Sequence, residues 1–252
     1  MGHSLMDEFW QYLGMVNNPD LESIKSSCLT PVCLAPLVNN ITQDRFILDD
    51  YLENELAMEN MLIKYLDKDE DNSEKLTNEI FHMIQPVKES SQALKYIFYE
   101  LLSNVYDHSN FDKGIVMVQN YPDSLEYEFC FTDNGISIPV SLKKSGYVYK
   151  NDCDAIIKAV NGLSAKHGNE FIGRGTGLNT VIDIVTRGAG GNVIIASACG
   201  VVEITKSVLH AKHSHHPFKG TLVGFKLNSR KEINIYNHMK GITIKGLEEY
   251  GN

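Results

Sequence analysis

The run YELLSNVYDHS, residues 99–109, ends a segment whose apolar residues recur with the period of an α-helix, and it predicts a helix from about Ser90 to His108. Glu100, Asn104 and His108 stand four residues apart, so they share one stripe of that helix. Asn104 can offer an oxygen to Mg²⁺, and Glu100 can accept a proton from an attacking water or hydroxyl. Taken alone, the stripe is more typical of a solvated helix face without chemistry.

The run FTDNGISIP, residues 131–139, follows a predicted strand. Asp-Asn-Gly is a common hairpin turn, but a hairpin needs an alternating strand after it, and Pro139 interrupts that pattern. The alternative is a binding loop. In that case Asp133 accepts a hydrogen bond from an adenine amine, and Gly135 leaves space for the flat base.

The run GRGTGL, residues 173–178, leads directly into a predicted helix. Closely spaced glycines before a helix let backbone N–H groups approach phosphates. The run is not a P-loop, because it lacks the GK[ST] ending, and no strand precedes it as a dinucleotide fingerprint requires. Gly220-Thr221, at the start of a late predicted strand, means little alone.

In this order the four signals resemble the asparagine box and the three glycine boxes of the GHKL ATPase superfamily, which includes gyrase B, heat-shock chaperones, sensor histidine kinases, MutL and anti-sigma serine kinases. The resemblance covers about residues 92–227. It implies a Bergerat-type α+β sandwich, in which a mixed, mostly antiparallel sheet carries helices on one face. One departure is Ser137, which stands where the first glycine box of the family has its second glycine.

The resemblance also implies a site for ATP bound with Mg²⁺. Glu100 would be the general base, Asn104 the magnesium ligand and Asp133 the adenine reader. Val140–Ile172 would form a mobile lid, because it has many charged residues and little apolar surface to hold it in place. The other nucleotide-binding residues would be His108, Gly135, Lys166, Arg174, Gly175, Thr176, Gly177, Leu178 and Thr221. Lys166 and Arg174 would reach the terminal phosphate, and a solvated lid charge is the alternative for each.

Within the superfamily, the spacing of Glu100, Asn104 and His108 is most similar to that of anti-sigma serine kinases and stand-alone ATPase domains. We therefore expect an ATP-dependent regulator that either hydrolyses ATP slowly or transfers phosphate to a separate protein partner. The alternative is a nucleotide-gated binding module without useful turnover. A homodimer is compatible with either function.

Composition shifts once, at the charged and polar stretch Asp67–Lys75, which ends an N-terminal α/β extension (1–75). The ATP-binding domain that the resemblance implies would follow (76–230), and a C-terminal tail (231–252) would complete the division. Within the extension, Thr30-Pro31 predicts a helix start, and the spacing of apolar residues in Tyr51–Leu66 predicts another helix. The order of elements is faintly similar to a STAS domain with a regulatory or docking role, and a helical adaptor is the alternative. A short apolar run after the extension, Ile80–Ile84, predicts a strand.

The net charge of −9 argues against nucleic acid as a partner. No apolar run approaches the roughly 20 residues of a membrane span. Five cysteines without CxxC spacing indicate reduced thiols, so we expect a cytoplasmic protein. The histidines between His210 and His216 suggest either a metal site or a polar hairpin, and the hairpin is favoured because no Cys or carboxylate accompanies them in sequence.

Overall fold

The structure, a computed structural model, describes residues 4–16, 30–40, 60–66, 72–162 and 177–239. These ranges contain seven α-helices and five β-strands. In chain order they are α1 (Leu5–Val16), α2 (Pro31–Asn40), β1 (Met61–Tyr65), α3 (Asn72–Ile84), α4 (Ser91–Asn104), β2 (Gly114–Tyr121), β3 (Glu126–Asp133), α5 (Ile138–Lys144), α6 (Asp152–Val160), α7 (Gly177–Asp183), β4 (Asn192–Ile204) and β5 (Leu209–Asn228). None of the helices described here has the length and apolar composition that crossing a bilayer requires.

The strands form one open sheet in the order β1-β2-β3-β5-β4, and every neighbouring pair is antiparallel. The predicted α+β class with a mostly antiparallel sheet is therefore confirmed, and the described strands contain no parallel pair. In the register of the central strands, Asp133 at the end of β3 lies opposite Gly114 of β2 and Thr221 of β5. This register brings the run FTDNGISIP and the Gly220-Thr221 pair to the same end of the sheet.

The long predicted helix is confirmed as α4, which continues as a π-helical turn over Val105–Ser109. Its predicted apolar side chains are buried in the core on one face of the sheet. Phe98 anchors the helix, with ring centroids 5.3 Å from Phe129 and 5.9 Å from Phe131. Because this side faces the sheet, the stripe that begins with Glu100 lies at the half-buried flank of the helix.

Helices cover both faces of the sheet, whereas the family resemblance implies one. Side chains alternate along a strand, and in β2 both sets are apolar: Val116 and Val118 join the core beneath α4, while Ile115 and Met117 face the other way. Two apolar faces need two covering layers. The second layer consists of α1 and α2, whose fully buried side chains include Phe9 and Leu34.

A buried ionic cluster fastens this second layer to the sheet. Lys226 of β5 lies 2.5 Å from the Glu8 carboxylate of α1 and 3.0 Å from the Glu128 carboxylate of β3. Glu128 is fully buried and accepts the Val32 N–H at 3.1 Å, while Glu8 accepts the Thr30 hydroxyl at 3.0 Å. Burial, and then the nearby Glu8 charge, raise the pKa of Glu128 above its usual value, and Lys226 opposes that rise. Lys226 is therefore the single cation shared by two buried acids, one from α1 and one from β3.

Local predictions outside α4 have mixed outcomes. The helix start at Thr30-Pro31 is confirmed. The helix predicted over Tyr51–Leu66 is wrong at its end, where β1 pairs with β2, and residues 51–59 lie outside the described part of the chain. The strand predicted over Ile80–Ile84 is also wrong, because those residues end α3. Both are short apolar runs, which fit either structure until tertiary contacts decide between them.

Part of the predicted lid belongs to the core. Helix α6 lies within Val140–Ile172, and Cys153, Ile156, Ile157 and Val160 are buried against the sheet. The expectation that the lid has little buried apolar surface is therefore wrong for α6. Its apolar residues recur at helical spacing, so they form one face that packs on the sheet. Residues 163–172 lie outside the described part of the chain.

Candidate functional site

A buried carboxylate stands at the end of β3. Asp133 is only 3% exposed, and its Oδ1 accepts the Gly135 N–H at 2.8 Å. Burial raises the pKa of Asp133 to about 7, although hydrogen bonds from the backbone N–H groups of Gly135 and Thr221 act to lower it. The chain continues from this loop into α5. The hairpin alternative for Asp-Asn-Gly is therefore wrong.

The loop after Asp133 packs against the π turn that follows α4. The Ser109 carbonyl accepts the Ile136 N–H at 2.6 Å. A Cβ added to Gly135 would lie 2.0 Å from the same carbonyl oxygen, so no larger residue fits without moving the backbone. π-Helical turns are rare and often mark functional positions. Here the turn brings the end of α4 directly onto the loop that carries Asp133.

The opposite side of Asp133 is formed by β4 and β5. Gly220 has φ +86°, and a Cβ there would lie 2.1 Å from the Asp133 carbonyl oxygen. The Ser197 hydroxyl donates to the Gly220 carbonyl at 2.8 Å, accepts the Ile138 N–H at 2.9 Å and lies 3.1 Å from the Thr221 hydroxyl. One donated and two accepted bonds saturate a serine hydroxyl, which makes the Thr221 hydroxyl the donor to Ser197. Ser197 was missed by sequence reasoning, because a serine in a predicted strand has no distinguishing pattern.

Glu100, the predicted general base, also contacts Gly177, the last glycine of GRGTGL. A Cβ added to Gly177 would lie 1.8 Å from Glu100 Oε2, so the backbone at the start of α7 lies against this carboxylate. Tyr96 makes side-chain hydrogen bonds with Glu100 and with Thr180 of α7. Burial, and then the Glu100 charge, raise the pKa of Tyr96 to about 12, so its phenol stays protonated at neutral pH. Tyr96 was missed, although its position four residues before Glu100 extends the same stripe.

The other predicted site residues divide into two groups. Asn104, His108 and Leu178 are half-buried. The spacing argument for His108 assumed α-helical geometry, which ends at Asn104, so the stripe itself is described only from Tyr96 to Asn104. The second group lies outside the described residues and consists of Lys166, Arg174, Gly175 and Thr176. Roles for these four stay predictions.

Compared with models of protein families and with curated proteins, the chain matches none. The site is therefore defined by its own geometry. A buried acid lies between two glycine-containing segments, and a glutamate of the adjoining helix lies against a third glycine. Helix α4, which carries Glu100, is connected to the loop after Asp133 through its π turn. This arrangement can offer a hydrogen-bond acceptor to an amine and a general base to a second reactant.

Proposed function

We propose that this chain is an ATP-binding regulatory protein of the GHKL type, which hydrolyses ATP slowly with Mg²⁺ or transfers phosphate to a separate protein. The observation that carries the proposal is the buried carboxylate of Asp133. Its Oδ1 is bonded to Gly135, and among the described residues no lysine or arginine forms an ion pair with it. Buried acids usually have such a partner. A ligand amine would add a further donor to the backbone N–H groups of Gly135 and Thr221, which Asp133 already accepts.

Adenine fits this acceptor better than guanine does. Its exocyclic amine donates a hydrogen bond, whereas guanine presents the O6 carbonyl at the equivalent position and would face the carboxylate with a second acceptor. A charge-assisted bond in a buried site contributes roughly 1.5–3 kcal/mol. Gly135 supports the site differently: it lets the Ser109 carbonyl pack against the loop, and this packing holds the loop in which the Gly135 N–H bonds to Asp133.

The residues of α4 fit a magnesium–nucleotide complex. Asn104 carries a carboxamide oxygen one helical turn from Glu100, and Mg²⁺ prefers oxygen ligands together with phosphates. When bound, Mg²⁺ would neutralise charge that develops on the transferred phosphate. Glu100 would orient a water or hydroxyl and accept its proton. Tyr96, bonded to both Glu100 and Thr180, would fix the direction of that carboxylate.

Replacement of Asp133 tests the proposal. We expect Asp133→Ala to weaken ADP binding by about ten- to a hundredfold, because a buried charge-assisted bond is lost. Isothermal titration calorimetry with ADP and GTP measures this, and GTP should bind wild type poorly. The matched control is Asp123→Ala, which removes an exposed acid from the β2–β3 turn. Unchanged ADP affinity in a folded Asp133→Ala protein would refute the adenine assignment.

The raised pKa of Asp133 predicts a pH dependence for ADP binding. Above a pKa of about 7 the carboxylate is ionised and accepts the adenine amine, and below it the acid is protonated. The ionised fraction drops about tenfold between pH 8 and pH 6, so affinity should fall by about that factor. Asp133→Asn removes the titrating group and controls for titration of the phosphates. Parallel pH profiles in wild type and Asp133→Asn would contradict the prediction.

A methyl group at Gly177 should impair turnover without unfolding the protein. In Gly177→Ala the new Cβ would displace the end of the Glu100 side chain, which is flexible enough to move. Misplacing a catalytic group by about 1 Å can cost roughly 10²-fold in rate, while ADP affinity should change much less. Steady-state ATP turnover measures the effect. Gly14→Ala is the control, because a Cβ there meets nothing within 4 Å, and equal rates in both variants would argue against this contact.

A further inference from the structure

A second cluster of reactive side chains uses none of the residues proposed to bind nucleotide. Asp152, Cys199 and His213 each offer one ligand atom, and these three atoms all lie within 4.8 Å of one another. In sequence, no cysteine or carboxylate accompanies the histidines between His210 and His216. Folding supplies both, from positions 14 and 61 residues earlier in the chain than His213.

Three structural elements hold the cluster together. Asp152 is the first residue of α6, and its Oδ2 accepts the Cys199 N–H at 2.9 Å. Cys199 lies in an irregularity of β4, where the pairing with β5 shifts register next to Ala198, whose φ is +51°. The pairing of β4 with β5 then places His213 opposite Gly200.

The packing at this point is close. A Cβ on Gly200 would lie 2.7 Å from the Asp152 carbonyl carbon, so the first turn of α6 rests directly on the irregular part of β4. The Asp152 carboxylate is oriented by its bond to Cys199, as outer hydrogen bonds orient ligands in metal centres. Asp152 and Cys199 are half-buried and His213 is exposed, so the cluster is open on one side.

We propose that Asp152, Cys199 and His213 bind a zinc-type divalent transition-metal ion. A thiolate, an imidazole and a carboxylate are the ligand types of Zn²⁺, whereas Mg²⁺ and Ca²⁺ take oxygen ligands. Tetrahedral coordination by three protein side chains leaves a fourth position, which the open side of the cluster gives to water. The bound ion links the start of α6 to the β4–β5 pair. The argument for this metal site does not rest on the proposed binding of ATP.

Zinc calorimetry on the reduced, metal-free full-length protein tests the site. We expect one Zn²⁺ per chain, with affinity about tenfold or more weaker in both Cys199→Ser and His213→Ala, since losing even an outer-shell partner costs about 10–100-fold. Titration with Co²⁺ should produce a thiolate-to-cobalt absorption band that disappears in Cys199→Ser. Circular dichroism of each metal-free variant verifies folding.

His210→Ala and His215→Ala are the matched controls, because both residues are exposed on the same strand but lie outside the three-residue cluster. Both controls should bind Zn²⁺ as wild type does. Equal weakening by His210→Ala, His215→Ala and His213→Ala would show adventitious binding to the histidine-rich strand and overturn the proposal. Unchanged Zn²⁺ affinity in Cys199→Ser, or the absence of a cobalt–thiolate band in wild type, would overturn it as well.

Discussion

Glu100→Gln should lower ATP turnover, or phosphate transfer to a partner, by about 10²–10⁴-fold, which is the usual contribution of a general base. The amide keeps the size and hydrogen-bonding shape of the side chain but cannot accept the proton. ATP affinity should hold or rise slightly, because a negative charge near the γ-phosphate is removed. Single-turnover measurements with labelled ATP, with and without cell lysate, separate this chemical defect from a binding defect.

Two comparisons make the result interpretable. Glu89→Gln changes an exposed glutamate near the start of α4 and should behave as wild type. Asn104→Ala should lose magnesium-dependent nucleotide binding as well as turnover. If wild type binds ATP but neither hydrolyses it nor transfers phosphate, the alternative of a nucleotide-gated binding module is favoured. If Glu100→Gln retains the full rate, Glu100 has no catalytic role.

Lys226→Met should destabilise the folded protein by about 3–5 kcal/mol, the usual result of removing one partner from a buried ion pair. Methionine fills a similar volume but leaves Glu8 and Glu128 as two buried carboxylates without their cation. Each of these glutamates is at most 4% exposed, so water cannot solvate their carboxylates in place of Lys226. Urea unfolding followed by circular dichroism measures the loss.

The control is Lys64→Met, which breaks the ion pair between Lys64 and Glu79, whose side chains are 41% and 37% exposed. That change should cost less than about 1 kcal/mol. The difference between the two variants should also depend on pH. Because the folded-state pKa of Glu128 is raised, its contribution to wild-type stability falls as pH rises through that pKa. Lys226 lowers the pKa of Glu128, so the loss of stability in Lys226→Met should shrink towards pH 5, where Glu128 is protonated and needs no cation. Equal stabilities of the two variants at pH 8 would contradict the buried-cluster argument.

The sequence predicted those parts of the molecule that depend on long local patterns. The 3.6-residue period of α4 gave the helix, its buried side and the position of Glu100 together. The loop position of Asp133 could also be predicted. Pro139 follows Asp-Asn-Gly closely in the chain and is incompatible with the second strand of a hairpin. Short apolar runs such as Ile80–Ile84 were assigned wrongly, since four or five residues do not distinguish the two periods.

Features made by long-range pairing were beyond the sequence pattern. The ring of hydrogen bonds around Ser197 depends on the register between β4 and β5. The cluster of Asp152, Cys199 and His213 depends on the irregularity beside Ala198, which no local composition indicates. The second helical layer depends on both alternating sets of β2 being apolar, a pattern that equally fits a strand buried between other partners.

The layer formed by α1 and α2 has a practical consequence for anyone who dissects this protein. A shortened chain that starts at residue 76 would lack β1 and uncover Ile115, Met117 and Cys130 across one face of the sheet. Contiguous apolar surface of this kind promotes self-association, as does an unprotected edge strand. Such a fragment should elute as aggregates in gel filtration even if the residues proposed to bind nucleotide are intact. Nucleotide-binding measurements should therefore use the whole polypeptide, and a transplant of this module into another protein should carry the first 66 residues with it.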